Sequence, residues 1–338
     1  MAGRLWLMHD LTNSPLMLGL LTFSNAAPIL LLAMWGGVVA DRVNRLKLMI
    51  FTRSMFSLQA LITGILVAFG LIQPWHLIVI SLATGGLLSF DIPSRAAILP
   101  NLVKKEHLFN AIVLYSFIFG STAVVGPTFF APMVNLLGMA GLFFYVGIAY
   151  ALTVITLLMM RPLSVSAGRD ESNLWRGLLD GLAYIRRNRI VLILICIGVV
   201  SGVFGSSFNT LLPVFAANIL EGGLESYGLL LFGMGAGGLM GTVSLALFGN
   251  LKNSTKLQVV TGVAFGLGLA IFSRITWLPA SVAIIGLVGG ASATFGVINN
   301  TILQSIVEDD YRGRVMSIHQ LGWGSSAIGG LLMGALAE

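Results

Sequence analysis

Residues 36–47 read Gly-Gly-Val-Val-Ala-Asp-Arg-Val-Asn-Arg-Leu-Lys. Their flanks decide the fold. Residues 16–39 and 48–71 are apolar runs of 24 residues each, and about 20 apolar residues suffice to cross a bilayer. The charge cluster is therefore a very short loop between two membrane spans. Gly36 and Gly37 let two helices approach closely at the turn. Asp41 is placed to accept hydrogen bonds from the amides of a helix N-terminus, where the dipole also favours an anion. Arg42, Arg45 and Lys47 form a cationic rim facing anionic headgroups. A topology anchor needs the positive charges alone; the spacing Gly37-x-x-x-Asp41-Arg42 goes beyond that.

Composition widens this reading to the whole chain. Of 338 residues, 57% are hydrophobic and 9% charged, where a soluble domain carries about 25% charged residues. An all-α membrane protein of many spans follows, and the long unalternating runs exclude an outer-membrane barrel. The net charge of +6 comes from basic residues beside apolar runs, so the partner they imply is a lipid bilayer and not nucleic acid. The single cysteine, Cys196, lies in an apolar run, which excludes a disulfide framework. His9, His76, His107 and His319 have no metal-ligand spacing, and no Gly-x-x-x-x-Gly-Lys-Ser/Thr is present. Neither metal nor other cofactor, nor an ATP-driven motor, is expected. No nucleophile–base pair points to an enzyme.

Ten complete spans are expected, at 16–39, 48–71, 75–99, 108–134, 140–160, 190–215, 227–248, 257–272, 277–303 and 315–337. The eighth is short and reaches toward residue 276. Lys and Arg gather in alternate loops, at Arg42, Arg45 and Lys47, at Lys104 and Lys105, at 161–189, at Lys252 and Lys256, and at Arg312 and Arg314. Arg274 is the exception. The basic loops are cytoplasmic by the positive-inside rule. Both ends of the chain then lie outside, and the simplest repair is one further helix at each end, with residues 1–10 as the remnant of the first. That makes twelve helices. The polar stretch 161–189 divides the spans five and five. The expected division is an N-terminal helical half at 1–160, a cytoplasmic linker at 161–189 and a C-terminal half at 190–338. Within the linker Leu174, Leu178, Leu182 and Ile185 recur at helical spacing among Arg176, Asp180, Arg186 and Arg187, an amphipathic helix expected to lie on the inner leaflet.

The halves repeat. A shift of 204 residues sets Gly85-Gly86 on Gly289-Gly290, Leu99 on Leu303 and Val103 on Val307. The run Gly120-Ser-Thr-Ala-Val-Val-Gly126 falls on Gly324-Ser-Ser-Ala-Ile-Gly-Gly330 in the same register. Parallel repeats of this kind build transporters with a substrate path between two pseudo-symmetric halves.

Gly37-x-x-x-Asp41-Arg42-x-Asn44-Arg45-x-Lys47 resembles the signature loop of the major facilitator superfamily, Gly-x-x-x-Asp-Arg-x-Gly-Arg-Arg/Lys-Arg/Lys. Asn44 stands where the signature has glycine, a mild change because Asn tolerates the left-handed conformation. Leu46 replaces a basic residue and thins the rim. The resemblance implies a helical bundle of two halves in which Gly37, Asp41, Arg42, Arg45 and Lys47 form a cytoplasmic latch, and it suggests that Arg95, from the fourth helix of the family, joins them. Gly120, Gly126 and Pro127 resemble the Gly-Pro motif of facilitator antiporters, although Phe130 and Ala131 replace the glycines expected after it; plain helix packing explains the same residues. Arg312-Gly-Arg-Val-Met316, with Asp91-x-Pro-x-Arg95, resembles the bacterial siderophore and macrolide exporter branch.

Charges inside spans are scarce, and ionisable groups at membrane depth are costly. Asp91 and Arg95 are four residues apart, so they share a helix face and can pair. Asp91 lies nine residues before Pro100, about 13 Å along a helix, and Pro93 between them is expected to kink that helix. Asp91 is thus either a coupling or substrate-contacting acid or half of a structural ion pair at the cytoplasmic mouth. Asn299 takes the repeat position of Arg95. With Asn300, it either lines the substrate path or hydrogen-bonds across helices. His319 is either a packed residue or a group titrating near neutral pH. The expected function is secondary transport: proton-coupled efflux of a small amphipathic molecule from a monomer in the bacterial inner membrane. A nutrient importer of the same fold and a non-transporting scaffold or sensor are the other readings.

Overall fold

The computed structural model describes residues 1–103, 129–160, 174–205, 207–248, 254–308 and 325–338, together with 107, 111, 114, 122, 126, 311, 315, 316, 318 and 319. Within these, side chains at 33, 34, 36–38, 40–42, 96, 97, 99–101, 174–179, 325 and 327 are not described. Among the described residues every regular element is helical. In chain order they are α1 (Ala2–Thr12), α2 (Pro15–Arg42), α3 (Arg45–Ala68), α4 (Pro74–Leu102), α5 (Phe130–Leu158), α6 (Leu174–Arg187), α7 (Arg189–Val200), α8 (Phe208–Val214), α9 (Gly223–Phe248), α10 (Ser254–Phe272), α11 (Leu278–Ile306) and α12 (Ser325–Ala337). Two π-helical turns, Ser201–Gly205 and Phe215–Ile219, flank α8.

Among the described residues, eight helical stretches are long and apolar enough to cross a membrane. They match eight of the ten expected spans. Of the other two, 108–134 falls largely outside the described residues, and 315–337 falls outside them at 317 and 320–324, with Ile328–Ala337 seen as a shorter apolar helix. Residues 161–173, the part of the expected linker before α6, lie outside them as well.

Four local expectations change. The loop expected at 36–47 shrinks, because α2 runs on to Arg42 and only Val43 and Asn44 precede α3. Asn44 is extended (φ −60°, ψ 110°), not left-handed, and its side chain accepts from the Leu46 and Lys47 amides at 3.0 and 3.2 Å. Its use is as an N-cap that starts α3. At the end of α10 the helix stops at Phe272 and does not reach residue 276, because the Ser273, Arg274 and Ile275 amides turn back onto Leu269, Ile271 and Phe272. The amphipathic helix α6 does not leave its whole apolar face to lipid: Ile185 is buried with Val191, Leu194, Leu303, Val307 and Val315, and Tyr184 stacks on Tyr311 at 4.5 Å. In α5, Gly138 has φ 72° and ψ 172°, a break that only glycine adopts without strain.

The chain divides into two compact units. Unit 1 is Met1–Phe119 with Pro132–Glu171, and unit 2 is Gly120–Ala131 with Ser172–Glu338. In unit 1, α4 is the central helix and packs on α1, α2 and α3. A methyl group at Gly85 of α4 would overlap the Asn25 carbonyl of α2, so the two backbones touch. In unit 2, α11 has the corresponding place against α9 and α10. Gly237 and Gly241 of α9 meet Gly286 and Gly290 of α11, and Gly289 meets the Met234 carbonyl, with no room for a Cβ at Gly237 or Gly289. Lipid supplies no hydrophobic drive for helix pairing, so close contact of this kind carries dispersion energy that larger side chains would prevent.

Candidate functional site: a polar seam between two helices

α3 and α4 are neighbours in unit 1, and they meet along a line of polar side chains. Asp91, on α4, is fully buried, with 0% of its surface exposed. Thr52 of α3 donates to its Oδ1 at 2.9 Å, and Arg53 donates through Nη2 to its Oδ2 at 2.9 Å. Arg95, one turn along α4, brings Nε to 2.9 Å from the same oxygen as an ion pair. The guanidinium of Arg53 also lies over two aromatic rings, 5.7 Å from the Phe56 centroid and 5.6 Å from that of Tyr150, a cation–π arrangement that gains strength when desolvated. As ionised side chains, the three charges sum to +1. An isolated carboxylate at this depth would cost several kcal/mol; two cations and a hydroxyl offset that cost.

The seam continues two turns toward the start of α4. Thr84 donates to Gln59 Oε1 of α3 at 2.7 Å and accepts from Arg4 of α1 at 2.9 Å. Arg4 Nη1 also donates to Ser81 at 3.3 Å. Thr84 and Asp91 are seven residues apart on α4, and Gln59 and Thr52 seven apart on α3. Two antiparallel helices therefore present two polar levels in one register, about 10 Å apart at 1.5 Å per residue.

The other expected residues sit as follows. Gly37, Asp41 and Arg42 lie in the last turns of α2, where side chains are not described. Arg45 opens α3, and Lys47 is exposed. Arg95 faces Asp91. Asn299 is buried, and Gln258 of α10 donates to its Oδ1 at 2.8 Å, while its own amide reaches the Leu194 carbonyl at 3.4 Å. Asn300 accepts from Gln304 one turn along its own helix. Gly120 and Pro127 lie outside the described residues. Gly126 is exposed, with nothing within 4 Å of a Cβ placed there. His319 is buried and approaches Gly198, the glycine that also faces Asn299. Sequence reasoning missed Arg53, Arg4 and Gln258. The available signal was an arginine six residues into the span 48–71, which belongs with a carboxylate once both are read as intramembrane charges.

A helical membrane chain with a buried charge cluster in its first unit fits a transporter, and comparison with known proteins agrees. A family model described as transmembrane secretion effector matches residues 2–338. The chain belongs to that family. It is a multi-pass cell-membrane protein of the major facilitator superfamily, in the branch of the siderophore and macrolide exporters. A staphyloferrin A transporter of Staphylococcus aureus is 26% identical over 99% of this chain and 84% of its own length. The multidrug efflux pump Tap of Mycolicibacterium fortuitum is 20% identical over 98% and 83%. Macrolide efflux protein A of Enterococcus faecalis is 21% identical over 83% and 88%. In fold the chain is similar to the nucleoside transporter NupG, with a TM-score of 0.68 at 14% identity over 98% of this chain and 84% of that one. It is also similar to an inward-facing, occupied bacterial homolog of the lysosomal transporter Spinster, with a TM-score of 0.65 at 16% identity over 99% and 78%. Family and relatives are transporters, not enzymes.

Proposed function

We propose that this protein is a proton-coupled secondary transporter that exports a small amphipathic molecule across the bacterial inner membrane by alternating access. The observation that carries the reading is the buried Asp91 held between Arg53 and Arg95. Asp91 is the carboxylate set well inside a span among the described residues, and ion-coupled transporters keep such groups despite their cost. Protonation of Asp91 would release both arginines from it, and that exchange is the coupling step we assign. The efflux names of the relatives support export. Ten spans in this chain, two pseudo-symmetric halves at 1–160 and 190–338 joined by 161–189, a latch of Gly37, Asp41, Arg42, Arg45, Lys47 and Arg95, a packing motif at Gly120, Gly126 and Pro127, and a monomeric state belong to the same proposal. Asn299 serves in it as an inter-helix hydrogen bond and Asn300 as a residue of the path.

The test uses cells stripped of their own efflux pumps and expressing the full-length gene. Accumulation of dyes, macrolides and siderophores is followed with and without a protonophore. Lower accumulation that the protonophore abolishes, and that Asp91→Asn loses, is the expected result. Higher accumulation would make the protein an importer.

A further inference from the structure

We infer that Arg4 forms the recognition point for a carboxylate on the transported molecule; this rests on the transport reading above. Arg4 sits on α1 and is half-buried against α4. Its described contacts are neutral hydroxyls, Ser81 at 3.3 Å and Thr84 at 2.9 Å. Both contacts use Nη1. Nε and Nη2, the two donors that a carboxylate engages side-on, make no hydrogen bond among the described residues.

No counter-charge reaches it there. Among the described residues no ion pair joins Arg4 to a carboxylate. Asp91, the acid in the interior of this unit, lies two turns further along α4 and is already taken by Arg53 and Arg95. Asp10, the acid on α1 itself, is exposed. A cation kept in a membrane interior without an anion is costly and marks a ligand site.

The surroundings fit a bound oxyanion. Thr84 is the eleventh residue of the 29-residue α4, about 15 Å from its start at 1.5 Å per residue, which is near the bilayer midplane where transporters of this type hold substrate. Ser81, fully buried, and Thr84 orient the guanidinium plane. Thr84 is held in turn by Gln59, and Asn25 of α2 donates to the Ser81 carbonyl at 3.3 Å. A guanidinium fixed on one nitrogen, with the Nε and Nη2 donors unused among the described residues, is preorganised for a planar two-oxygen anion.

The experiment measures binding, not transport. The full-length protein is reconstituted in nanodiscs of phosphatidylcholine alone and of phosphatidylcholine with phosphatidylglycerol. Dansyl-glycine and its uncharged amide are titrated by fluorescence. Expected is at least about tenfold tighter binding of the acid in both lipids, the scale of one charge-assisted hydrogen-bond pair. Arg4→Gln should erase that preference and Arg4→Lys should keep part of it. Equal affinity for acid and amide in the natural protein overturns the inference, whatever the variants do. So does a preference that survives in Arg4→Gln. A preference seen only without phosphatidylglycerol would assign the cation to a lipid phosphate and overturn it as well. Because binding is read in the absence of a proton gradient, failure here is distinct from failure of proton-coupled export.

Discussion

Two helix pairs, α3 with α4 and α10 with α11, are set against each other by the 204-residue shift, and each has polar groups in its seam. In the first pair the groups are Arg53, Asp91 and Arg95. In the second the same positions hold Leu257, Phe295 and Asn299, and the polar contact that remains is the neutral one from Gln258 to Asn299. One seam is charged and the other is an amide bridge. Packing alone is therefore met without charge in the second unit, and the charges of the first require a further reason. The proposed coupling role supplies it.

The comparison breaks most sharply at Asp91. Asp91→Leu leaves the half-buried Arg53 and Arg95 without their acid. Removing one partner of a fully buried ion cluster costs about 3–5 kcal/mol, and the partial exposure of the arginines lowers that toward its smaller end. Loss of folded protein on size exclusion is the expected readout. The triple change Arg53→Leu, Asp91→Phe, Arg95→Asn gives the first seam the residues of the second. Concerted removal of a buried ion cluster is often nearly neutral, so this variant should fold and yet lose protonophore-sensitive export. If it still exports, the charged seam has no role beyond packing.

Next in size is the glycine contact. Gly237→Leu drives a side chain into the Gly286 carbonyl and should lower stability by about 1–3 kcal/mol or more. Gly266→Leu, inside α10 at a position with nothing within 4 Å, should not lower the melting temperature, and the better helix propensity of leucine should raise it slightly. Equal effects of the two would remove close backbone contact as the explanation. Arg53→Lys keeps the charge but gives up the planar stacking on Phe56 and Tyr150, a loss of about 1 kcal/mol in thermal unfolding. The smallest effect is expected in the second seam. A double-mutant cycle on Gln258→Leu and Asn299→Leu should return a coupling of about 0.6 kcal/mol, the mean for such bonds in membranes. A coupling as large as that at Asp91 would erase the contrast.

Sequence pattern alone carries much of this. Eight spans, the turn after α2 and the Asp91–Arg95 spacing are all readable, because span length and i,i+4 geometry are local properties. What escapes is whatever depends on which helix faces which. Arg53 lies six residues into the span 48–71, which marks it as an intramembrane charge in need of a carboxylate; which carboxylate it meets is set only by the antiparallel packing of α3 on α4, which turns it onto Asp91. Arg4 is unreadable for the same reason, since its meaning comes from Ser81 and Thr84, 77 and 80 residues away. Asn44 shows the reverse. Its likeness to a signature glycine suggests backbone freedom, while its dihedrals show a cap whose side-chain oxygen is the useful part.

The bare backbone contact between α9 and α11 also bears on which sequence changes this protein can survive. Every single-base change in a glycine codon that alters the residue installs something larger. At Gly237 and Gly289, where the facing atoms are carbonyls of the opposite helix, each such change meets an obstacle that no rotamer avoids. A deep survey of point variants should find these positions empty of missense alleles, while the exposed Met240 and Leu287 on the same two helices drift freely.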